Sequence, residues 1–277
     1  EGVRFTRHYA GSTVSAPSRC CLMTGKHTGH ARVRGNAAVP LRDTDTTVAE
    51  LLKSAGYHTA LIGKWGLGEA GSSGIPNKKG FDYFYGYLNQ THAHNSYPHF
   101  LWRDTLKVML SNKVMVETEG YAKDNGGVAT EKNEFANALF TNEALQYINK
   151  NSGYPFFMYL AYTIPHANNE APKYDSIGIE VPSLGEYSQK NWPLTEKAKA
   201  AAISYLDSDI GKIISLLKDK GLDKNTIIMF SSDNGPHQEG GVISEFLNSN
   251  GALQGTKRDL TEGGIRVPFI VWAPAII

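Results

Sequence analysis

One pattern recurs three times along the chain: a segment with helical spacing of apolar residues, a short turn, an apolar run and then a polar loop. The helical segments span residues 48–55, 134–149 and 195–220, and the apolar runs span residues 57–62, 155–162 and 226–230. Thr46 or Thr47 suits the N-cap of the first helix, and Gly56 and Gly221 suit the ends of the first and third helices. Alternating helices and strands predict an α/β fold with a mostly parallel central sheet and helices on both faces.

Polar residues follow each of the three predicted strands. Lys64 follows the first strand, His166 the second, and Asp233 and Asn234 the third. In open parallel sheets, functional groups gather beyond the carboxyl ends of the strands. The sequence therefore predicts a functional site at this edge of the sheet.

The charge balance indicates neither a nucleic-acid partner nor a membrane-surface partner. Twenty-eight Lys and Arg residues against 27 Asp and Glu residues give a formal net charge of +1. No apolar run approaches the roughly 20 residues that a membrane-spanning helix needs. The absence of repeats and of flexible linkers predicts a single domain over residues 1–277.

The segment SAPSRCCLMTGKHTGH, residues 15–30, combines a nucleophile with a helix start. Pro17 suits the first turn of a helix, and Gly25 suits its end. Ser15 then lies at the helix N-terminus, where unpaired N–H groups and the helix dipole favour an anion. Arg19 lies one turn further and carries a planar, permanently charged group. This arrangement suits the transfer of a sulfuryl or phosphoryl group.

This segment resembles the signature of the type I sulfatases, in which Cys or Ser is followed by any residue, Pro, Ser, Arg and, later, Thr-Gly. Four further segments resemble later family blocks, in the family's order: GKWGLG (63–68), IPHA (164–167), SSDNG (231–235) and GTKRDLTEGGIRVP (255–268). The resemblance covers essentially the whole chain. It implies the alkaline-phosphatase-like α/β fold, with residues 1–277 as a sulfatase catalytic domain that hydrolyses a sulfate ester of a carbohydrate or an aryl alcohol.

The resemblance also implies roles for individual residues. Ser15 occupies the position that the family converts to Cα-formylglycine, and a serine there is matured by a formylglycine-generating radical-SAM enzyme. One hydroxyl of the aldehyde hydrate attacks sulfur, and the other later expels sulfate. Arg19 would hold the hydrate, and Lys64 would bind sulfate and the hydrate. His166 and Lys257 would contact sulfate and the departing oxygen.

A divalent cation, usually calcium in this family, is the second cofactor that the resemblance implies. Asp233 and Asn234 match two of its oxygen ligands, and oxygen donors suit Ca²⁺. The family's pair of adjacent aspartates has no counterpart in this sequence. We therefore expect a first strand carrying both aspartates before Glu1, and a small C-terminal subdomain after Ile277.

A glycine replaces one expected histidine. The common family block reads GKWHLG, and its His is assigned to the expulsion of sulfate, whereas Gly66 stands at that position here. His237, just past the predicted metal ligands, is a candidate for a substitute base or a substrate contact.

The segment THAHNSYPHFLW, residues 91–102, mixes imidazole and aromatic side chains. We predict that His92 and His94 contact a sugar, because aromatic and imidazole groups suit a carbohydrate's apolar face and hydroxyls. Metal ligation and a locally packed aromatic cluster are the alternatives.

Two other functions remain open at this point. A phosphonate monoester or phosphodiester hydrolase of the same superfamily would share the fold and the formylglycine. An inactive glycan-binding relative is the alternative that Gly66 raises. Family resemblance also favours a periplasmic or secreted location.

Overall fold

The computed structural model describes residues 2–277, and its strand β2 (His58–Lys64) ends at Lys64. The helices are α1 (Ser15–Thr24), α2 (Val48–Ser54), α3 (Ala136–Asn151), α4 (Leu194–Asp219) and α5 (Glu262–Ile265). The other strands are β1 (Val3–Phe5), β3 (Tyr83–Tyr87), β4 (Phe100–Arg103), β5 (Leu106–Met109), β6 (Lys113–Val116), β7 (Gly127–Glu131), β8 (Phe156–Ala161), β9 (Ile228–Ser231) and β10 (Phe269–Trp272).

The main sheet has five strands in the order β5-β4-β3-β2-β8. Strand β2 runs parallel to both β3 and β8, whereas β4 and β5 continue the sheet in antiparallel pairs. A second sheet, β1-β10-β9, is antiparallel throughout, and β6 and β7 form a separate pair.

The predicted α/β class is confirmed, but the sheet is mixed rather than mostly parallel. The third predicted strand, β9, pairs with β10 in the second sheet and does not join β2 and β8. Short connections explain part of the difference. Only two residues separate β4 from β5, and so tight a link joins antiparallel strands, whereas a parallel pair needs a longer crossover.

Helices cover both faces of β2, as predicted. Leu61 packs in a buried cluster with Ala16 and Cys20 of α1 and Ala49 of α2. The next residue, Ile62, points to the opposite face, where the buried cluster comes from α3 and α4. Because successive side chains of a strand point to opposite faces, this single strand anchors both layers of helices.

Most of the predicted local elements are present within one to three residues. Thr47, rather than Thr46, caps α2, and it forms a reciprocal capping box with Glu50. Gly25 ends α1 in the left-handed region, at φ 65°. In residues 2–277, no helix combines the length and the apolar character that crossing a membrane would require.

Gly63 allows a close backbone approach in the main sheet. Its φ is 112°, and a Cβ atom at this position would overlap the backbone carbonyl of Ala161 on β8. Gly63 directly precedes Lys64, so the contact fixes where the carboxyl end of β2 lies.

Replacing Gly63 with Ala should therefore destabilise the protein. We expect Gly63→Ala to lower the free energy of unfolding by at least about 2 kcal/mol, because it adds both a backbone clash and an unfavourable φ. Urea denaturation followed by circular dichroism measures this change. Gly153→Ala is the matched control, since no atom lies within 4 Å of a Cβ there. Equal stability of the two variants would contradict the close approach.

Candidate active site

Ser15 is the first residue of α1 and is buried at its N-terminus. Its hydroxyl lies close enough to the carboxylate of Asp233 to lower the pKa of that group. The next backbone N–H, that of Ala16, donates to Asn36 Oδ1 at 2.9 Å. The nucleophile position predicted from sequence thus lies at the positive end of a ten-residue helix, beside a carboxylate from the loop after β9.

Arg19 connects α1 to three other parts of the chain. Its Nε donates to Asp233 Oδ2 at 2.9 Å, and its Nη1 donates to the carbonyl oxygen of Lys64 at 2.7 Å. The same Nη1 lies 3.3 Å from the hydroxyl of Tyr159 on β8. Because the guanidinium is buried, these partners are what stabilise its charge.

Lys64 is a buried cation at the end of β2, with 4% of its surface exposed. Burial lowers the pKa of Lys64 to about 7, and the nearby charge of Arg19 acts in the same direction. Burial raises the pKa of Asp233, but Arg19, Lys64 and the Ser15 hydroxyl together bring it below its ordinary value. Asp233 therefore carries its charge at neutral pH, whereas Lys64 is poised to gain or lose a proton.

The hydrogen bonds of His166 define its tautomer. Its Nδ1 lies 2.6 Å from the carbonyl oxygen of Ala167, so Nδ1 carries the proton. Burial, followed by the charges of Lys257 and Lys64, holds the pKa of His166 well below its ordinary value, and the ring is neutral. Its Nε2 is then an acceptor, and Lys257 Nζ donates to it at 3.1 Å.

Sequence reasoning missed Glu239, which orients Lys257. Its Oε2 accepts from Lys257 Nζ at 2.9 Å, and its Oε1 lies 2.7 Å from a guanidinium nitrogen of Arg258. Arg258 adopts φ 85°, a strained conformation for a residue other than glycine, directly beside Lys257. Glu239 lies two residues after His237 in a loop without periodicity, so only its nearness to a predicted site residue could have singled it out.

Tyr159 was also missed, since it lies within a predicted apolar strand. In the sequence, Tyr159 is a tyrosine within the apolar run PFFMYLAY, and nothing in that run indicates its contact with Arg19.

The carboxylate of Asp233 and the side-chain oxygen of Asn234 fit part of a site for a hard cation. Asn234 Oδ1 is buried and has no hydrogen-bond partner among residues 2–277, while its Nδ2 donates to the carbonyl of Gly235. A buried carbonyl oxygen without a donor is costly, and a divalent cation would satisfy it. Within the described residues, no group of three His, Cys, Asp or Glu side chains could hold a metal ion. The two predicted ligands are therefore a partial donor set.

Two of the three predicted substrate-contacting histidines lie beside His166. The ring of His94 stacks on that of His166, with centroids 5.1 Å apart, and its Nδ1 bonds Glu170 at 3.1 Å. His237 Nε2 donates to the carbonyl of Pro165, and its Nδ1 accepts from the backbone N–H of Glu239. Since both nitrogens of His237 are engaged, any action as a base would first break one of these bonds.

His92 lies in a different environment. It is 3% exposed and packs edge-on against Tyr87 and close to Phe100. Burial lowers the pKa of His92 to about 3, so its ring is neutral. The surroundings of His92 are thus a locally packed aromatic cluster, which was one of the alternatives from sequence. The contact of His92 with a sugar stays a prediction.

Gly66 occupies the position where the resemblance expects a histidine. Its φ is 81°, and the side-chain amide of Gln90 fills the space that a Cβ would enter. The loop is therefore shaped for a residue without a side chain.

The arrangement is suited to holding a tetrahedral anion. The guanidinium of Arg19 links Asp233 to the backbone carbonyl of Lys64, and Ser15 lies one turn before Arg19 on the same helix. Lys64 and Lys257 are both close enough to His166 to lower its pKa. Three cationic side chains and a helix N-terminus thus surround one nucleophile position.

Comparisons with known proteins indicate the family of this chain. A family model described as Sulfatase matches residues 1–277. The chain is 30% identical over 300 residues to a protein named uncharacterized sulfatase YdeN of Escherichia coli (strain K12), covering 98% of this chain and 47% of that protein. It is 32% identical over 302 residues to the N-acetylgalactosamine-6-sulfatase of Mus musculus, covering 100% of this chain and 51% of that protein. The chain thus spans about half the length of the curated relatives that it matches.

A solved structure agrees in fold. It is a Bacteroides thetaiotaomicron protein from work on the metabolism of multiple glycosaminoglycans, and it superposes with a TM-score of 0.75 at 26% identity, covering 100% of this chain and 65% of that one. With the family model matching from residue 1 to residue 277, this chain belongs to the sulfatase family.

Proposed function

We propose that the protein hydrolyses a sulfate ester on a carbohydrate, with residue 15 as the nucleophile in its formylglycine form. One observation carries the proposal: Ser15 lies at the N-terminus of α1 while Arg19, one turn later, reaches both Asp233 and the end of β2. The sulfated sugar as substrate is supported by the name of the N-acetylgalactosamine-6-sulfatase relative.

The cofactors would supply chemistry that unmodified side chains lack. Formylglycine, when formed at position 15, supplies a hydrated aldehyde with one hydroxyl for attack and one for release of sulfate. A calcium ion, when bound, would be held in part by Asp233 and Asn234 and would draw negative charge from the sulfate oxygens. We infer that a radical-SAM maturase acts on Ser15 and that the protein works in the periplasm or outside the cell, with residues 1–277 forming one catalytic domain.

The chain's own residues bind and orient the sulfate. Lys64 and Arg19 place positive charge where the transferred group gains negative charge, in a buried setting that strengthens the interaction. Asp233, charged and held by Arg19, lies beside the hydroxyl at position 15 and is the acceptor that would orient it.

His166 and Lys257 act on the departing sugar oxygen. The ammonium group of Lys257 donates a hydrogen bond to His166 Nε2, and the carboxylate of Glu239 holds that ammonium in place. As the ester bond breaks, the proton passes from Lys257 to the leaving oxygen, directly or through His166 Nε2. Glu239 touches no reacting atom in this scheme, so it is a positioning residue.

The nucleophile prediction concerns the mass of residue 15. Co-expression with a formylglycine-generating maturase should lower the mass of the peptide containing Ser15 by about 2 Da, the mass of two hydrogen atoms. The Ser15→Ala variant should show neither this mass shift nor hydrolysis of a chromogenic aryl sulfate. The control variant Ser54→Ala, on α2, should show both the mass shift and the hydrolysis. Tandem mass spectrometry and the assay measure these outcomes. An unmodified Ser15 beside an active maturase, or faster turnover of the matching aryl phosphate, would sink the proposal.

The second prediction tests Glu239. Glu239→Gln should lower kcat by about ten- to a hundredfold, because Lys257 loses the charge that fixes it beside the leaving oxygen. The loss should be smaller for 4-nitrophenyl sulfate than for a sugar sulfate, since nitrophenolate leaves without a proton. Glu186→Gln, at an exposed position, is the control. Equal losses on both substrates would contradict a role at the leaving group.

The third prediction concerns pH. Because the pKa of Lys64 is about 7 in the free protein and a bound anion raises it, sulfate binding above pH 7 takes up a proton. Affinity for inorganic sulfate should therefore rise as the pH falls from about 9 to about 7, and then level off. Calorimetry at several pH values measures the affinity for sulfate in the parent protein and in the Lys64→Met variant. The variant Lys150→Met, at an exposed position, is the control. The same slope in Lys64→Met as in the parent would refute the assignment.

A further inference from the structure

A cavity of about 160 Å³ lies beside Gly66, two residues beyond Lys64. Asn36 lines it and also accepts the backbone N–H of Ala16, the residue after the nucleophile. Gly66 and Asn36 thus place one end of the cavity near the end of β2, which carries Lys64, and near the start of α1, which carries Ser15. We call it the Gly66 cavity.

The lining of the Gly66 cavity is polar but carries no positive charge. Four side-chain amides line it, and Glu69 contributes a carboxylate. In the part of the chain that the structure describes, no lysine, arginine or histidine lines it. Amides both donate and accept hydrogen bonds, which suits hydroxyl and acetamido groups. A second sulfate placed here would meet Glu69 and find no cation, which is unfavourable in a partly buried setting.

A larger cavity of about 470 Å³ continues from the first, sharing Glu69, Asn89 and Asn125 with it. We call it the Trp102 cavity, because Trp102 and Phe100 line it. Lys107 is the one cation of its lining within residues 2–277, and its Nζ lies 4.3 Å from the centroid of the Phe100 ring. Aromatic side chains here offer apolar surface to the C–H groups of a sugar ring.

His92 gives the Trp102 cavity a polar atom without a partner. Its Nε2 is buried and has no hydrogen-bond partner among residues 2–277. Because the ring is neutral, one of its nitrogens donates and the other accepts, so a hydroxyl of a ligand can pair with Nε2 in either tautomer. An unsatisfied buried polar atom is unfavourable, and a bound hydroxyl would relieve that cost.

We propose that the Gly66 and Trp102 cavities form a subsite for uncharged sugar units attached to the sulfated unit. The substrate is then an oligosaccharide whose sulfated unit lies at Lys64 and whose next units carry hydroxyl or acetamido groups rather than sulfate. This inference rests on the proposed function, since it takes the sulfate position from it.

Ligand-observed NMR on the whole chain in saturating sodium sulfate tests the subsite without turnover. The sulfate occupies the anion position, so a ligand must bind elsewhere. A neutral disaccharide of galactose and N-acetylglucosamine should bind saturably. The same disaccharide carrying one sulfate should bind at least about tenfold more weakly, because Glu69 repels it.

Two variants link this binding to the cavities. Asn125→Ala should weaken binding of the neutral disaccharide at least about fivefold, through the lost amide contact. Glu69→Gln should reduce the preference for the neutral over the sulfated disaccharide to less than about threefold, since the carboxylate is gone. The exposed positions in Asn149→Ala and Glu186→Gln serve as matched controls.

Some outcomes would overturn the proposal. Absence of saturable binding by the neutral disaccharide, or equal binding by the sulfated one, rules the subsite out. If the chain carries formylglycine and hydrolyses aryl sulfate but does not bind the neutral disaccharide, the proposed function stands and the subsite proposal is wrong. If the chain binds the neutral disaccharide but Ser15 stays unmodified and the chain stays inactive in the presence of the maturase, the subsite proposal stands and the proposed function is wrong.

Discussion

The arrangement of this molecule depends on the hydrogen bonds and the ion pair of the buried Arg19 guanidinium. It joins α1 to the end of β2, to β8 and to the loop after β9, through Lys64, Tyr159 and Asp233. A buried cation without partners would be strongly destabilising, so these segments must come together for the charge to be tolerated. The position of Ser15 follows, because Arg19 lies one turn further along the same helix.

The site combines buried and half-buried charges that do not balance. Arg19, Lys64 and Lys257 contribute cations, whereas Asp233 and Glu239 contribute carboxylates. Burial is the main cause of the low pKa of Lys64, and the nearby positive charges of Arg19 and Lys257 lower it further. Under the proposed function, a sulfate ester would supply the missing negative charge. Part of its binding free energy would then come from relieving the repulsion among these cations.

Local signals explain what the sequence could predict. Pro17, Gly25 and Thr47 act within one helical turn, and they located the helices that carry or support the site. The pairing of β9 with β10 depends on contacts between distant segments, so periodicity could not reveal it. Glu239 lies in an irregular loop, and its role emerges only when Lys257, 18 residues later, folds back onto it. His92 shows the same limit, since sequence cannot tell a buried ring from one that faces a ligand.

The tautomer of His166 has a consequence for inhibitors. Because Nδ1 donates to the Ala167 carbonyl, Nε2 presents only a lone pair, and Lys257 is the group now donating to it. A sulfate mimic that carries an N–H at the leaving-group position, such as an N-sulfate (R–NH–SO3−), would compete with Lys257 for that lone pair. An ether oxygen at the same point would find no donor on Nε2 and could accept only from Lys257, as the ester oxygen does in the proposed scheme. Donor placement, rather than overall charge, should therefore rank such compounds.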